Sequence, residues 1–307
     1  KREAEAVILA GGAELRMPDI PGISASGVYT PRSIRTMRSL PKKMVIVGGG
    51  ISGAEFAYIY AAFGVDVTLL ARSKVLSVLP ETLRKDALRD LSAVHIEEYT
   101  AGECIDGGDS AEAVIAGGKR FPCDAVLVCA GFTHETPWVS GLERNPDGSI
   151  HVDDTMQTSC PGVYAAGDVC GAPYFTPAAR MRGFAAADAV LGHPHNISLE
   201  QQPFTVVLGL DYTVCPAKED GTIVEAYNIA GPGAFWHVAD STVGHMQITM
   251  SEDKKVLGFA SSSPSGSAVG TYLGHMVRRG LYAKEFLSLL EVHPLPDGLY
   301  SLIRFST

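Results

Sequence analysis

The chain has 307 residues, 46% hydrophobic and 19% charged, with a net charge of −9 at pH 7. That length and apolar content exclude a disordered chain and accommodate roughly two or three domains with buried cores. The acidic balance excludes a nucleic-acid binder, which needs a basic face against phosphates, and no apolar run approaches the ~20 residues of a membrane span.

The opening KREAEA has the look of a processed secretion spacer, but it runs directly into an apolar strand and is discounted as such. AVILAGGAELRMPDIPG follows: an apolar run, two glycines, then a proline-punctuated loop. This reads as the last strand of a sheet leading through a linker to residue 40. A domain is not expected to begin with its last strand, so residues 1–40 look like the end of a segment whose beginning is missing. Pro31–Lys43 carries five basic residues and reads as a solvated linker.

From Lys42 the pattern changes. MVIV is a continuous apolar run suited to a parallel strand covered on both faces. Gly48, Gly50 and Gly53 follow in G-x-G-x-x-G spacing, then SGAEFAYIYAAF as a helix closed by Gly64, then VDVTLL as a second strand. This is a right-handed βαβ unit. In it the first glycine permits a tight turn, the second lets backbone approach a pyrophosphate, and the third lets helix and strand pack closely. Ala71 stands where NAD sites carry an acid for the ribose hydroxyls, followed by Arg72, Ser73 and Lys74. A guanidinium can fork onto a 2′-phosphate and the lysine adds charge, so NADP(H) is expected, with NAD(H) the alternative. ECIDGGDSAEAVIAGGKRF reads as a small meander and CDAVLVCAG as another buried strand.

Residues 141–195 contain CPGVYAAGDVCG and a helix, TPAARMRGFAAADAVLG. His193-Pro-His195 is read as linker. Beyond residue 196, TVVLG, TIVEAYNI and HMQITMSEDKKVLGFAS alternate like antiparallel strands, and SAVGTYLGHMVRRG and AKEFLSLL read as helices. The fold class is therefore α/β: a Rossmann-like nucleotide-binding domain over 41–140, and an α+β domain over 196–307. The six cysteines show neither CxxC nor CxxxxC spacing, as expected of reduced thiols in a cytoplasmic protein. No metal site is indicated.

VGGGISGAEFA, LLARSKVL, CDAVLVCAG and PGVYAAGDV, in this order, resemble the flavoprotein disulfide reductases: dihydrolipoamide dehydrogenase, glutathione reductase and mercuric reductase. The resemblance extends over essentially the whole chain. It implies FAD and NADP(H) as cofactors, a homodimer, and a small-molecule or protein disulfide as substrate. It also implies that hydride from NADPH passes to FAD and then to a cysteine pair preceding Lys1, so that this chain alone is expected to be inactive. Residues 1–40 and 141–195 correspond to FAD-domain segments and 196–307 to the interface domain.

The resemblance implies roles for further residues. Ala10, Gly11 and Gly12 match the family's Ala-Thr-Gly strand end, with glycine replacing threonine at 11. Gly131 opens GFTHET, which departs from the family's Gly-Arg-x-Pro-Asn. Gly167 and Asp168 match the segment that binds the flavin ribityl chain, and Thr176-Pro177 a helix start aimed at the flavin pyrimidine, with Thr176 as N-cap. Glu55 matches a glutamate that pairs with a lysine beside the flavin; without that lysine it is expected to be a buried carboxylate that stays protonated. His293 matches the acid/base histidine that reaches the partner's active site, and alternatively is a surface histidine. The glutamate that would orient it is replaced by Gly298, with Asp297 one position short. A flavin-dependent NAD(P)H oxidase or peroxidase, or a flavin-free nucleotide-binding fragment, are the alternative readings.

Overall fold

The computed structural model describes residues 4–134, 136–228, 244–290 and 297–307. The chain forms two compact units, one of Pro18–Cys129 with Gln201–Thr307, the other of Lys1–Met17 with Ala130–Glu200.

In the first unit, five parallel strands lie in the order Val28–Tyr29, Ala125–Val128, Lys43–Val47, Asp66–Leu70, His95–Glu97. Met44, Val45 and Ile46 are buried, as a strand covered on both faces requires. Each fully buried Ile or Leu stabilises the fold by about 1.5–3 kcal/mol. The Ile51–Ala62 helix connects the Lys43–Val47 and Asp66–Leu70 strands and ends at Gly64, whose φ of 82° is left-handed. Gly102–Asp106, Ala113–Ala116 and Lys119–Pro122 form the expected antiparallel meander.

A five-stranded antiparallel sheet completes this unit, in the order Phe204–Val207, Asp211–Cys215, Val256–Ser263, Gly244–Met250, Thr222–Asn228. The Gly266–Arg278 helix lies close against it. A Cβ on Gly270 would fall 2.3 Å from the Thr213 side chain, so only glycine allows this approach. Val206, Tyr212 and Val214 join the core of the parallel sheet, while Phe259, Leu273, Phe286 and Tyr300 form a second core.

Several elements differ from expectation. Glu81–Asp90 is a helix that the charged sequence ETLRKDALRD does not advertise. It buries Leu83, Arg84, Asp86 and Ala87, so two of its four buried side chains are ionic and obscure the apolar periodicity. Asp211–Cys215 is an unexpected strand. Ala283–Ser288 is 3₁₀ rather than α, and a short helix follows at Leu299–Arg304.

In the second unit, Val7–Leu9 pairs in parallel with Val163–Ala165, and Glu14–Leu15 pairs antiparallel with Phe132–Thr133. The Thr176–Val190 helix packs Ala185 and Ala186 against Met156 and Ala166.

Candidate nucleotide-binding sites

The Gly48–Gly53 turn joins the central parallel strand to the Ile51–Ala62 helix. Gly48 has φ 123°, in the region that favours glycine, and its N–H donates to the Leu70 carbonyl at 2.8 Å. Gly50 is the helix N-cap, and a Cβ there would meet nothing within 4 Å. A Cβ on Gly53 would fall 1.8 Å from the Gly48 carbonyl oxygen. Turn, open approach and close packing thus fall on the three glycines as their spacing predicts. The helix presents unpaired amides and its positive end at this opening.

The turn after the second strand stands beside this loop. The Ala71 and Val75 side chains pack on Gly49, and the Leu76 N–H donates to the Gly49 carbonyl at 2.8 Å. Arg72, Ser73 and Lys74 are exposed. Lys74 Nζ lies 3.5 Å from Glu81, whereas Arg72 has no hydrogen bond or ion pair among the described residues. The base of the turn is held by two residues that sequence reading misses. Buried Arg84 donates from Nε to the Val75 carbonyl at 2.7 Å and pairs with Glu98, which accepts the Val75 N–H at 2.6 Å.

Glu55 Oε1 accepts the backbone N–H of Val207 at 3.0 Å. Burial raises its pKa above the ordinary carboxylate range, and the Val207 N–H opposes this in part. A carboxyl raised in the folded state favours folding while it is protonated, and loses that contribution as pH rises through its folded pKa. Glu55→Gln keeps an acceptor for Val207 and removes the ionisation. The variant's Tm should therefore exceed that of the parent at pH 7.5, with the gap closing near pH 4; thermal melts at both pH values check this, and an equal gap would refute it.

In the other unit, the parallel pair Val7–Leu9 and Val163–Ala165 ends in two adjacent turns, linked by the Ala166 N–H donating to the Leu9 carbonyl at 2.9 Å. Ala10, Gly11 and Gly12 leave from one strand, Gly167 and Asp168 from the other. Such carboxyl ends are where ligands bind in α/β sheets. Gly167 has φ 81°, and the half-buried Asp168 carboxylate makes no hydrogen bond or ion pair among the described residues, leaving it free to accept from a ligand hydroxyl.

At Gly11, where the resemblance leads one to expect threonine, a Cβ would fall 2.3 Å from the Trp138 ring. Thr176 is the first helical residue and Phe175 the N-cap, one position earlier than the sequence suggests, with no side-chain cap bond. Buried Arg182, missed from sequence, donates to the carbonyls of Gly167 (3.1 Å), Gly171 (2.7 Å) and Ala172 (2.7 Å) and so fixes the Asp168 turn. A lone arginine among Ala178, Ala185 and Ala186 on one buried helix face is the signal that identifies it. Gly131 has φ 94° and its carbonyl accepts the Arg16 N–H at 2.9 Å. In the divergent GFTHET segment, buried His134 Nε2 lies 2.8 Å from the Tyr174 hydroxyl.

His293 lies outside the described residues. Asp297 is buried and both carboxylate oxygens are engaged. Oδ2 accepts from Ser261 (2.6 Å), Ser263 (2.5 Å) and Asn228 (3.3 Å), and Oδ1 from the Leu299 N–H (2.8 Å). Burial pushes the thiols of Cys123 and Cys170 up to about 11 and those of Cys129 and Cys215 to about 12, so all four are protonated at neutral pH. Among the described residues there is no cluster of metal-ligating side chains and no helix long and apolar enough to cross a membrane.

Comparison with known proteins agrees with this architecture. The chain is 34% identical over 212 residues to a soluble pyridine nucleotide transhydrogenase of Marinomonas sp., covering 66% of this chain and 45% of that protein. It is 33% identical over 211 residues to the transhydrogenase of Mycobacterium bovis, covering 65% and 44% respectively. It thus spans less than half the length of these relatives. Among solved structures, the HOCl-induced flavoprotein disulfide reductase RclA from Escherichia coli, as its Cu(II) complex, superposes with a TM-score of 0.87 at 22% identity, covering 99% of this chain and 73% of that one. LpdA from Mycobacterium tuberculosis superposes with a TM-score of 0.86 at 22% identity, covering 100% and 70%. These two show the fold. The model of the pyridine nucleotide-disulphide oxidoreductase family matches residues 1–183, more than half of the chain, and the chain belongs to that family.

Proposed function

We propose that this chain serves an FAD-dependent NAD(P)H:disulfide oxidoreductase that works as a homodimer and prefers NADP(H). Residues 41–140 hold the nicotinamide nucleotide, residues 1–40 and 141–195 contribute to the flavin site, and residues 196–307 form the interface domain. The observation that carries the NADP(H) preference is the strand end at Ala71: alanine takes the acid's position, and exposed Arg72 follows without a hydrogen bond or ion pair among the described residues, in a turn whose Ala71 and Val75 lie against Gly49.

Gly50 leaves space for a diphosphate at the helix end, and the Arg72 guanidinium is free for a 2′-phosphate. The unengaged Asp168 carboxylate suits a ribityl hydroxyl, and the amide end of the Thr176–Val190 helix suits a group that gains negative charge. When bound, the two cofactors supply hydride transfer; these residues bind and orient them. The dimer is supported by the outer strand Thr222–Asn228, which exposes Ile223 and Tyr227. Arg72→Glu should weaken NADPH about ten-fold or more and leave NADH within about two-fold, measured by calorimetric titration. Equal loss for both nucleotides would remove the NADP(H) assignment.

A second reading, hydride exchange between NADPH and NAD⁺, draws support from the name and 34% identity of the Marinomonas relative. Assaying the full-length, FAD-loaded protein with NADPH against oxidised lipoamide and against thio-NAD⁺ separates the two readings: disulfide reduction supports the first, thio-NAD⁺ reduction alone the second.

A further inference from the structure

We propose that Arg84 and Glu98 are positioning residues for nucleotide selection: they touch no nucleotide but hold the Arg72–Lys74 turn where it can meet a 2′-phosphate. This rests on the NADP(H) reading above and goes one layer beneath it.

The turn follows the Asp66–Leu70 strand, and Arg72, Ser73 and Lys74 in it are exposed. Its shape is imposed from below. Arg84 reaches from the Glu81–Asp90 helix and donates from Nε to the Val75 carbonyl at 2.7 Å. Its Nη2 pairs with Glu98 Oε1, and the same oxygen accepts the Val75 N–H at 2.6 Å. Both backbone polar groups of Val75 are therefore held by one ion pair. Arg84 is 6% exposed, so little solvent competes for those bonds. Leu76 then adopts φ 53°, uncommon for a leucine, and its N–H closes onto the Gly49 carbonyl at 2.8 Å.

The same helix extends this hold to the charged tip. Glu81 Oε1 lies 3.5 Å from Arg84 Nη1 while its Oε2 lies 3.5 Å from Lys74 Nζ. A continuous path therefore runs from buried Arg84 to the turn, and from the turn to the phosphate loop. The other end of the helix is equally fixed. Asp86 accepts from Ser262 Oγ at 2.8 Å and lies 2.7 Å from His245 Nδ1, and Asp90 accepts from the Tyr212 hydroxyl at 2.7 Å and the Leu210 N–H at 3.0 Å. Arg84 thus acts from a helix anchored to the antiparallel sheet, and a support of that kind determines how tightly a charged turn is preorganised.

Removing the support should harm only the nucleotide that uses the turn. NADH lacks the 2′-phosphate, so its affinity should scarcely register the change. The test is calorimetric titration of NADPH and NADH into the full chain and its Arg72→Ala, Arg84→Met, Glu98→Gln and Arg72→Ala/Arg84→Met variants, with circular dichroism verifying folding. Arg84→Met is expected to weaken NADPH about five- to ten-fold and NADH less than about two-fold. Glu98→Gln keeps the size and an acceptor oxygen and carries the test if Arg84→Met does not fold; about three-fold loss for NADPH alone is expected. The double variant should lose less NADPH affinity than the product of the two single losses, because Arg84 acts through the turn that carries Arg72 and only the share of Lys74 is left to lose.

If Arg72→Ala weakens NADPH while Arg84→Met and Glu98→Gln do not, or if losses multiply in the double variant, the positioning role is wrong and the NADP(H) reading stands. Equal loss of NADPH and NADH in the Arg84 and Glu98 variants also overturns the role. If Arg72→Ala leaves NADPH unchanged, both fall.

Discussion

Gly53→Ala is expected to lower stability by about 2–3 kcal/mol, as overpacking of a closed site does, and to weaken NADPH at least about ten-fold. The new Cβ would stand 1.8 Å from the Gly48 carbonyl oxygen, a backbone atom with no flexible end to yield. Helix and strand must separate, and the amides at the helix end move away from the diphosphate position. Gly50→Ala provides the contrast. Gly50 has φ −77°, which alanine adopts freely, and its Cβ would meet nothing within 4 Å. That variant should keep the parental Tm yet lose nucleotide affinity by a similar factor, because the methyl occupies the space through which a phosphate approaches. Urea unfolding and nucleotide titration on both variants separate packing from binding. A Gly53→Ala protein as stable as the parent would contradict the packing role.

Asp297→Ala is expected to destabilise the folded protein by roughly 3–5 kcal/mol, since each buried polar group left without its partner costs about 1–3 kcal/mol. The carboxylate serves two serine hydroxyls, one amide side chain and one backbone N–H. Asn228 keeps partial compensation through Ser261 Oγ (2.8 Å) and the Ser262 carbonyl (3.3 Å), which keeps the total below the sum of the separate losses. Asp297→Asn keeps the shape, and the serine hydroxyls can rotate to accept from the new amide, so a smaller loss of about 1–2 kcal/mol is expected. Denaturant midpoints at constant slope measure both. A loss below about 1 kcal/mol for the alanine variant would mean that the cluster is not worth what its geometry implies. These bonds also bear on the acid/base dyad that the family resemblance implies for His293. The carboxylate one residue short of the missing glutamate is already committed inside the antiparallel sheet, so any orienting of His293 by Asp297 would have to compete with them.

The strand–turn–helix–strand order from Lys43 to Leu70 can be read from the sequence because each piece is encoded locally. An unbroken apolar run implies a strand covered on both faces, three glycines at fixed spacing imply the turn, and Gly64 terminates the helix. The meander and the helix beginning at Thr176 are legible for similar reasons, and Arg72 stands out because the acid expected before it is absent. What surrounds these elements depends on long-range pairing. Arg84 and Glu98 meet only because a helix and a strand converge on one turn. Arg182 finds its three carbonyls only once its helix has docked, and the carboxylate of Asp297 reaches Ser261, Ser263 and Asn228 from far along the chain. By itself, the sequence determined the strand–turn–helix–strand unit from Lys43 to Leu70, because turns, caps and periodicity act between neighbours. Only the tertiary structure decided which buried ionic groups hold that unit in shape, because a charge is stable inside a protein only when partners distant in sequence surround it.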